Sequence, residues 1–415
     1  MAPSRKPGMS RGRSRTRRAR RDACPLPARD GLHPIQVCLP RDVPTGLTIR
    51  DYLLQRFPPL ASPGVTDLDQ RMRHGEVLRW DGVPVMPTDH CVPGLMLAFY
   101  RELAPEEVPD QPLPVLYEDD HLLVIDKPHG MATMPRGRHV LSSVLVRLRR
   151  AHQNMDLVPL HRLDLGTAGV LVFGKRPEDR GIYQTLFARG EVTKTYRAVV
   201  ALPDDEAGCE GLRLRGVADI QGAPDTCGAV GAGGVLGTRG VIANRLVKPR
   251  GDLRTSIVPG EVNARTDYTL LDMTRSSSPD GSDPVLGLVE LFPHTGKTHQ
   301  LRVHLASIGW PILADPLYGE ASPALDHRRV DGPVETPDAD RSADALGAGG
   351  ARADDGDARA GDGCATLDKE VSISVDHSYP LQLLARALAF TDPITGIDHH
   401  FTSRRRLAAW PEDDQ

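Results

Sequence analysis

Residues 161–169 combine the side chains best suited to chemistry in this chain. They read His-Arg-Leu-Asp-Leu-Gly-Thr-Ala-Gly and run directly into an apolar stretch. The pattern places the carboxylate of Asp164 between Arg162 and a glycine-rich turn. A carboxylate held in this way can attack a substrate or stabilise positive charge that develops on it. The segment is therefore predicted to form part of a site rather than part of the scaffold.

Two later segments also carry candidate functional groups. Residues 194–198 read Lys-Thr-Tyr-Arg-Ala within a predicted strand, and Thr-Gly-Lys-Thr at 295–298 precedes a predicted helix that Gly309 ends. Free amides at that helix start, beside Lys297, suit a phosphate, although this segment taken alone fits a capping turn with a surface lysine better. His299 and His304 lack the i, i+4 spacing of a zinc helix, and the cysteines form no Cys-x-x-Cys pair, so no metal site is predicted.

Composition limits the class of protein. The 415 residues suffice for two or three domains, and the net charge of -4 conceals an amino terminus with nine basic residues and no acid before Asp22. We expect residues 1–30 to be a disordered basic tail, for which nucleic acid is one partner and a purely solvated role is the alternative. The sequence shows neither a signal peptide nor a membrane span, so we expect a cytoplasmic protein, and a monomer.

Together the three segments resemble the RluA-type family of RNA pseudouridine synthases. That family carries His-Arg-Leu-Asp with Thr-Ser-Gly shortly after it, then Lys-x-Tyr-x-Ala, then Thr-Gly-Arg-x-His-Gln-Ile-Arg-Val-His-Leu-Ala. Residues 161–169, 194–198 and 295–306 match these motifs in the same order, and Asp-Pro-Leu-Tyr-Gly at 315–319 matches the family's ending. The resemblance implies an α+β fold with a mixed, largely antiparallel central sheet, a site in a central cleft, no cofactor, and rRNA or tRNA as partner.

The resemblance also assigns roles to individual residues. The implied catalytic residues are Asp164, Tyr196 and Arg302; those implied to bind substrate are Arg162, Lys297 and Leu301; and those implied to shape the loop near the site are His161, Thr167 and Gly169.

These roles agree with the chemistry of the reaction. Converting uridine to pseudouridine breaks the C1′–N1 bond, rotates the uracil and joins C5 to C1′. Asp164 can add to C1′, or it can stabilise oxocarbenium character there and remove a sugar proton, and both routes stay open. The guanidinium of Arg302 favours the ionised carboxylate. The ring of Tyr196 can stack on uracil, and its hydroxyl can take part in proton movement at C5. Arg162 can replace a flipped nucleotide.

The same reasoning divides the chain into units. Residues 44–103 form a predicted small domain with an Asp-Gly hairpin at 81–82, which resembles the RNA-binding domain that precedes many RNA-modifying enzymes, a plain structural role being the alternative. Residues 113–405 form the predicted catalytic domain. It is interrupted by insertions at about 203–243 and 321–370, the second of which we expect to be disordered.

The chain departs from the family pattern at a few positions. Ala168 replaces the usual serine, Lys297 replaces an arginine, and Met134 stands where a histidine is common. These changes bear on substrate choice and efficiency more than on reaction class. Two rival functions remain: an inactive RNA-binding or ribosome-assembly factor, and a nucleoside or glycoside hydrolase, which would require a second catalytic carboxylate that no motif supplies.

Overall fold

The structure is a computed structural model that describes residues 24–61, 64–103, 105–202, 237–249, 251–275, 285–319 and 379–411. The predicted insertion at 321–370 and most of the predicted tail lie outside the described residues. Residues 24–30 are described, and they lie against the small amino-terminal unit, where Tyr100 donates its hydroxyl to the carbonyl of Pro27 at 2.9 Å and carries Arg29 4.2 Å above its ring.

The amino-terminal unit is a three-stranded antiparallel sheet covered by two helices. Its elements are β1 (Ile35–Cys38), α1 (Ile49–Arg56), a 3₁₀ turn (Pro58–Ala61), α2 (Leu68–Arg73), β2 (Val77–Arg79) and β3 (Met96–Phe99), with strand order β1-β3-β2. The unit therefore starts before the predicted boundary at residue 44. The Asp-Gly turn at 81–82 is present, and Gly82 adopts a φ of 84°.

Arg71, in the last turn of α2, is one of the basic residues that an RNA-binding face on this unit would be expected to expose. The structure buries it instead, because it donates to Glu76 at 2.9 Å and to the carbonyl of Tyr100 at 2.8 Å. It therefore stabilises the unit and is not available to a phosphate.

The larger unit is built on one mixed sheet to which eleven of the described strands contribute, in the order β10-β9-β11-β12-β8-β13-β7-β5-β4 with β14 on β13 and β6 on β7. The strands are β4 (Val115–Glu118), β5 (Leu122–Lys127), β6 (Val158–Pro159), β7 (Ala168–Gly174), β8 (Thr193–Leu202), β9 (Arg239–Val247), β10 (Ser256–Val258), β11 (Ala264–Arg275), β12 (Val285–Pro293), β13 (Leu383–Thr391) and β14 (Asp398–Thr402). Among these described pairings only β13 with β7 is parallel. The α+β class with a mixed, largely antiparallel sheet is thus confirmed.

Among the described residues, three helices cover the sheet: α3 (Val144–Ala151), α4 (Arg180–Ala188) and α5 (Gln300–Ser307). Successive side chains of β5 point to opposite faces, so that Leu123 packs with α3 and Val124 packs with α4. The third helix packs through Leu301 and Leu305 against β8, β11 and β12. Every residue of α5 from Gln300 to Ala306 is buried, so this helix is covered on more than its apolar face.

One predicted boundary needs correction. The insertion predicted at about 203–243 ends too late, because β9 already begins at Arg239, whereas residues 203–236 lie outside the described residues. Gly240 lies in β9 beneath the ring of Tyr268, where an added Cβ would come within 2.6 Å of ring carbons.

Arg149 in α3 is buried and donates to the carbonyl of Leu157 at 3.0 and 3.2 Å, so it stabilises the fold and does not face solvent.

Candidate active site

Asp164 lies in the loop between β6 and β7, with its side chain 30% exposed. The preceding Leu163 is buried, and the hydroxyl of Thr133 donates to its carbonyl at 2.7 Å and accepts from its amide at 3.2 Å. The carbonyl of Asp164 then accepts the amide of Thr167 at 3.1 Å, which closes a turn. An anchored leucine on one side and a closed turn on the other leave the carboxylate facing the cleft.

The residues after Asp164 are held by two side chains that precede the loop in sequence. Lys127, fully buried at the end of β5, donates its ammonium to the carbonyls of Pro128 at 3.0 Å, Leu165 at 3.2 Å and Thr167 at 2.6 Å. The imidazole of His129 bonds the carbonyl of Gly166 at 2.6 Å. Every carbonyl from 165 to 167 is thus bound, so the turn that carries the carboxylate is fixed from behind.

Lys127 was not among the predicted site residues, because a lysine before a proline reads as the end of a strand. Burial lowers the pKa of Lys127 to about 7, while the charge of Asp164 acts in the opposite direction. Its proximity to the carboxylate adds positive potential beneath the site in addition to the three hydrogen bonds.

Gly169 allows β7 to approach its neighbour β13 closely. Its φ of 113° lies in the region that L residues rarely adopt, and an added Cβ would be 2.2 Å from the carbonyl oxygen of Ala385 on β13. Ala168, the departure from the usual serine, is fully buried in an apolar cluster with Val199 and Leu384. A small apolar side chain therefore suits that position in this chain.

The strand register places Tyr196 at the same level of the sheet as Gly169. Ala385 on β13 pairs with Gly169 on one side and with Tyr196 of β8 on the other. The tyrosine is partly buried and packs against the core clusters beneath the cleft. Burial raises the pKa of Tyr196, and the negative charge of Asp164 raises it further, so the phenol stays protonated at neutral pH.

Arg302 projects from the first turn of α5. Its guanidinium grips Asp315 in a fork, with Nε 2.8 Å from Oδ2 and Nη2 2.6 Å from Oδ1, and its remaining nitrogen, Nη1, lies 3.7 Å from Oδ2 of Asp164. The group also lies 5.1 Å from the centre of the Tyr318 ring. Burial alone would lower the pKa of Arg302, but the hydrogen bonds and charge of Asp315, with the charge of Asp164, raise it. A permanent cation therefore faces the carboxylate.

His161 adopts a structural position. Its ring stacks on Phe187 with centroids 5.2 Å apart, and its Nε2 accepts the amide of Val172 at 3.2 Å. Burial, with a smaller contribution from Lys194, lowers its pKa to about 3. A neutral ring whose nitrogen is already bound to the backbone is poorly suited to act as a general base.

The three residues assigned to substrate binding lie in different environments. Arg162 is exposed beside Asp164, and among the described residues no ion pair or hydrogen bond restrains it. Leu301 is buried in the core cluster against which Tyr196 packs. Lys297 is exposed in the turn before α5, where its amide donates to the side chain of Gln300 at 3.0 Å, so this amide already has a partner within the turn.

One further residue at the site was missed by sequence reasoning. His299, immediately before α5, places Nε2 3.9 Å from Oδ2 of Asp164. In the sequence, His299 draws attention only as a possible metal ligand, and its spacing from His304 does not fit a zinc helix. Its position three residues before Arg302, one helical turn away, is the signal that could have placed both on the same side of the cleft.

Two structural features are absent from the described residues. No group of three or more histidine, cysteine or acidic side chains in these ranges is arranged to hold a metal ion. Nor do the described ranges contain a helix long and apolar enough to cross a membrane.

Comparison with known proteins identifies the family. A family model described as RNA pseudouridylate synthase matches residues 121–307, the segment that contains Asp164, Tyr196 and Arg302. An uncharacterized RNA pseudouridine synthase of Synechocystis is 30% identical over 251 residues, which cover 60% of this chain and 73% of the relative. The chain belongs to the RluA-type RNA pseudouridine synthases.

Other members of the synthase family are similar over a shorter span. Ribosomal large subunit pseudouridine synthase D of Nitrosomonas europaea is 31% identical over 54% of this chain and 55% of its own length. The mitochondrial tRNA pseudouridine(32) synthase of Saccharomyces cerevisiae is 31% identical over 51% of this chain and 38% of its own length. The chain thus spans between about a third and three quarters of these relatives, and what it shares with them is the synthase region.

Proposed function

We propose that this synthase isomerises uridine to pseudouridine in a folded RNA, with Asp164 as the reacting carboxylate. The observation that carries the proposal is the convergence at one cleft of Asp164, Tyr196 and Arg302, which come from a loop, a strand and a helix. A family match alone is also compatible with an inactive relative. The intact arrangement of all three groups favours catalysis.

The geometry supports a division of labour at the cleft. The carboxylate of Asp164 either forms a bond to C1′ as the C1′–N1 bond breaks, or stabilises the oxocarbenium and takes a sugar proton. The cation of Arg302, held in place by Asp315, gives that carboxylate a fixed positive partner 3.7 Å away. After the uracil rotates, C5 bonds to C1′ as the C1′–O bond to Asp164 breaks or, in the second route, as Asp164 returns the sugar proton. C5 then loses its proton to solvent while N1 takes one up, and the protonated hydroxyl of Tyr196 is placed to hydrogen-bond the ring during this exchange.

Exposed Arg162 is proposed to occupy the space of the flipped nucleotide. Chemistry at C1′ within a paired or stacked RNA requires the nucleotide to leave the stack, which costs a few kcal/mol. The guanidinium of Arg162, two residues before Asp164 in the sequence, can stack in the gap that the flipped nucleotide leaves.

The RNA is proposed to be rRNA or tRNA, because the relatives named above include one named for the large ribosomal subunit and one named for a tRNA position. A cytoplasmic location and a monomeric state remain predictions from the sequence. The hydrolase alternative requires a second carboxylate beside Asp164. Among the described residues, the acid that shared contacts with Arg302 place near Asp164 is Asp315, which is fully buried in its pair with that arginine.

The deciding experiment incubates the protein with uridine-labelled rRNA and tRNA transcripts and maps pseudouridine chemically. Asp164→Asn keeps the size of the side chain and is expected to lower turnover by more than about 10³-fold, because the nucleophile or charge stabiliser is lost. The matched control is Asp120→Asn, since that aspartate is 83% exposed in the turn between β4 and β5 and pairs only with Arg176 among the described contacts. The control should retain full activity.

Each rival function has its own outcome in this assay. Pseudouridine that persists at the wild-type rate in Asp164→Asn would remove the catalytic assignment. Free uracil would indicate hydrolysis. Tight RNA binding without any product, over all rRNA and tRNA transcripts tested, would favour the inactive binding factor.

A further inference from the structure

His299 holds an unusual backbone conformation at the start of α5. Its φ of 56° and ψ of 17° place it in the left-handed region, where residues other than glycine are uncommon, although histidine is among those enriched there. Such a conformation costs free energy and persists where the surroundings fix it. Its side chain is only 13% exposed, so the conformation directs the imidazole into the cleft rather than into solvent.

A short chain of hydrogen bonds determines which imidazole nitrogen carries the proton. The hydroxyl oxygen of Tyr318 accepts the amide of Thr255 at 2.7 Å, so its single proton is free to be donated elsewhere. Of the two acceptors within reach, Nδ1 of His299 is closer at 3.0 Å than the carbonyl of Thr255 at 3.4 Å. If Nδ1 accepts, a neutral imidazole carries its proton on Nε2.

That Nε2 nitrogen faces the carboxylate of Asp164. It lies 3.9 Å from Oδ2, and Nη1 of Arg302 lies 3.7 Å from the same oxygen. Within the described residues, the other oxygen, Oδ1, has neither a hydrogen bond nor an ion pair. Two donors from the start of α5 thus converge on one oxygen and leave its partner open to the cleft.

We propose that His299 is a positioning residue, a neutral N–H donor that directs Oδ2 of Asp164 so that Oδ1 faces C1′ of the target nucleotide. Tyr318 selects the required tautomer. The inference rests on the proposed role of Asp164 as the reacting carboxylate. Contacts of 3.7 to 3.9 Å are longer than hydrogen bonds, and we expect them to shorten when RNA fills the cleft, as catalytic contacts commonly do.

The charges around the imidazole agree with a neutral ring. Burial is the main cause that lowers the pKa of His299 to about 4. The negative charges of Asp164 and Asp315 act to raise this pKa, whereas the positive charges of Arg302 and Lys248 lower it further. The ring is therefore uncharged at neutral pH, and it can orient the carboxylate without neutralising its charge. The full positive charge at this oxygen comes from Arg302.

Nitrogen NMR of the full chain labelled at histidine tests the tautomer directly, without any need for activity. The His299 signals, assigned as those absent from His299→Gln, are expected to show the Nε2–H tautomer, unchanged between pH 6 and pH 8. Tyr318→Phe removes the proton that Nδ1 accepts, and should shift the signals toward a mixture of tautomers. An Nδ1–H tautomer in the wild type, or an imidazolium that titrates in this range, would overturn the proposal.

Kinetics with an RNA that the wild type modifies tests the consequence. His299→Ala should lower kcat by about ten- to a hundredfold with little change in KM, because a donor to a charged group is lost. His299→Gln keeps an N–H near the position of Nε2 and should recover a measurable part of that loss. His294→Gln is the matched control, since His294 is 51% exposed and pairs with Asp267 at 2.9 Å, and it should retain full activity.

The outcomes separate this inference from the proposed function. Equal kcat values for wild type, His299→Ala and His299→Gln would reject the positioning role while leaving Asp164 in place. A wild type without activity on any RNA would reject the proposed function, and the NMR result on the tautomer would still stand.

Discussion

At the scale of single residues, the site combines one open carboxylate with groups whose protonation is set by their surroundings. Tyr196 illustrates this, because burial and the charge of Asp164 both raise its pKa. A phenol with a raised pKa contributes as a hydrogen-bond donor or through its ring, and not as a phenolate. The pH dependence of the reaction should show this.

Tyr196→Phe keeps the ring and removes the hydroxyl. We expect kcat to fall by about ten- to a hundredfold, because a hydrogen-bond donor to the charged reacting ring is lost, while KM changes little because stacking persists. In the wild type, kcat should show no alkaline loss from phenol ionisation up to pH 9, since the raised pKa keeps the proton in place. Single-turnover rates between pH 6 and pH 9 provide the measurement.

The control for this prediction is Tyr117→Phe on β4, whose hydroxyl donates to Asp119 at 2.8 Å. It should leave turnover unchanged. An unaltered kcat in Tyr196→Phe would limit Tyr196 to stacking.

Sequence patterns identified some site residues and missed others for physical reasons. Asp164, Tyr196 and Arg302 occur in motifs whose local spacing is informative. The roles of Lys127 and His299 depend on partners distant in sequence, namely the carbonyls of residues 165 and 167 and the hydroxyl of Tyr318. No local pattern encodes a lysine bound to three carbonyls or a histidine whose tautomer is chosen by a tyrosine 19 residues later.

At the scale of elements, the site depends on how closely β7 approaches β13. Asp-Pro-Ile-Thr-Gly at 392–396 is typical of a hairpin turn, and the structure forms that hairpin from β13 and β14. The apolar pattern before the turn predicts a strand from Leu388, whereas β13 begins at Leu383. Adjacent buried leucines at 383 and 384 are typical of a central strand covered on both faces, but they do not reveal which strands it separates.

Gly169→Ala tests the approach of the two strands. The added methyl group would meet the carbonyl of Ala385 at 2.2 Å from a backbone with positive φ, so we expect a loss of at least about 2 kcal/mol in the free energy of unfolding. Gly181→Ala, in α4 where nothing lies within 4 Å of an added Cβ, should instead be stabilising by about 0.5–1 kcal/mol. Urea unfolding of both variants provides the comparison. Equal stability of Gly169→Ala and wild type would show that the strands can separate without cost.

At the scale of the whole molecule, charge is concentrated at the amino terminus. Nine of the first 21 residues are basic, although the chain as a whole carries a net charge of -4. Basic residues bound to phosphates release counterions, which makes affinity fall as salt rises. The predicted role of the tail in RNA binding therefore has a clear signature in salt dependence.

Deleting residues 1–21 should weaken RNA binding at low salt and flatten the plot of log affinity against log salt, by roughly one unit for each phosphate contact removed. Turnover at saturating RNA should be unchanged, because the catalytic groups lie elsewhere. Filter binding between 50 and 200 mM salt, with the full chain as control, provides the measurement. Identical slopes would assign the tail a solvated role.

The central position of β13 has a consequence for biosynthesis. Of the strands that flank the cleft, β7 and β8 leave the ribosome early, but they do not pair with each other, because β13 lies between them and comes from residues 383–391. During translation, almost two hundred residues must therefore be added after Tyr196 before the shared strand β13 can align Tyr196 with the Asp164 loop. A nascent chain can display every motif of the family and still lack an assembled site, so the site can form only after the ribosome has added the residues of β13, 383–391.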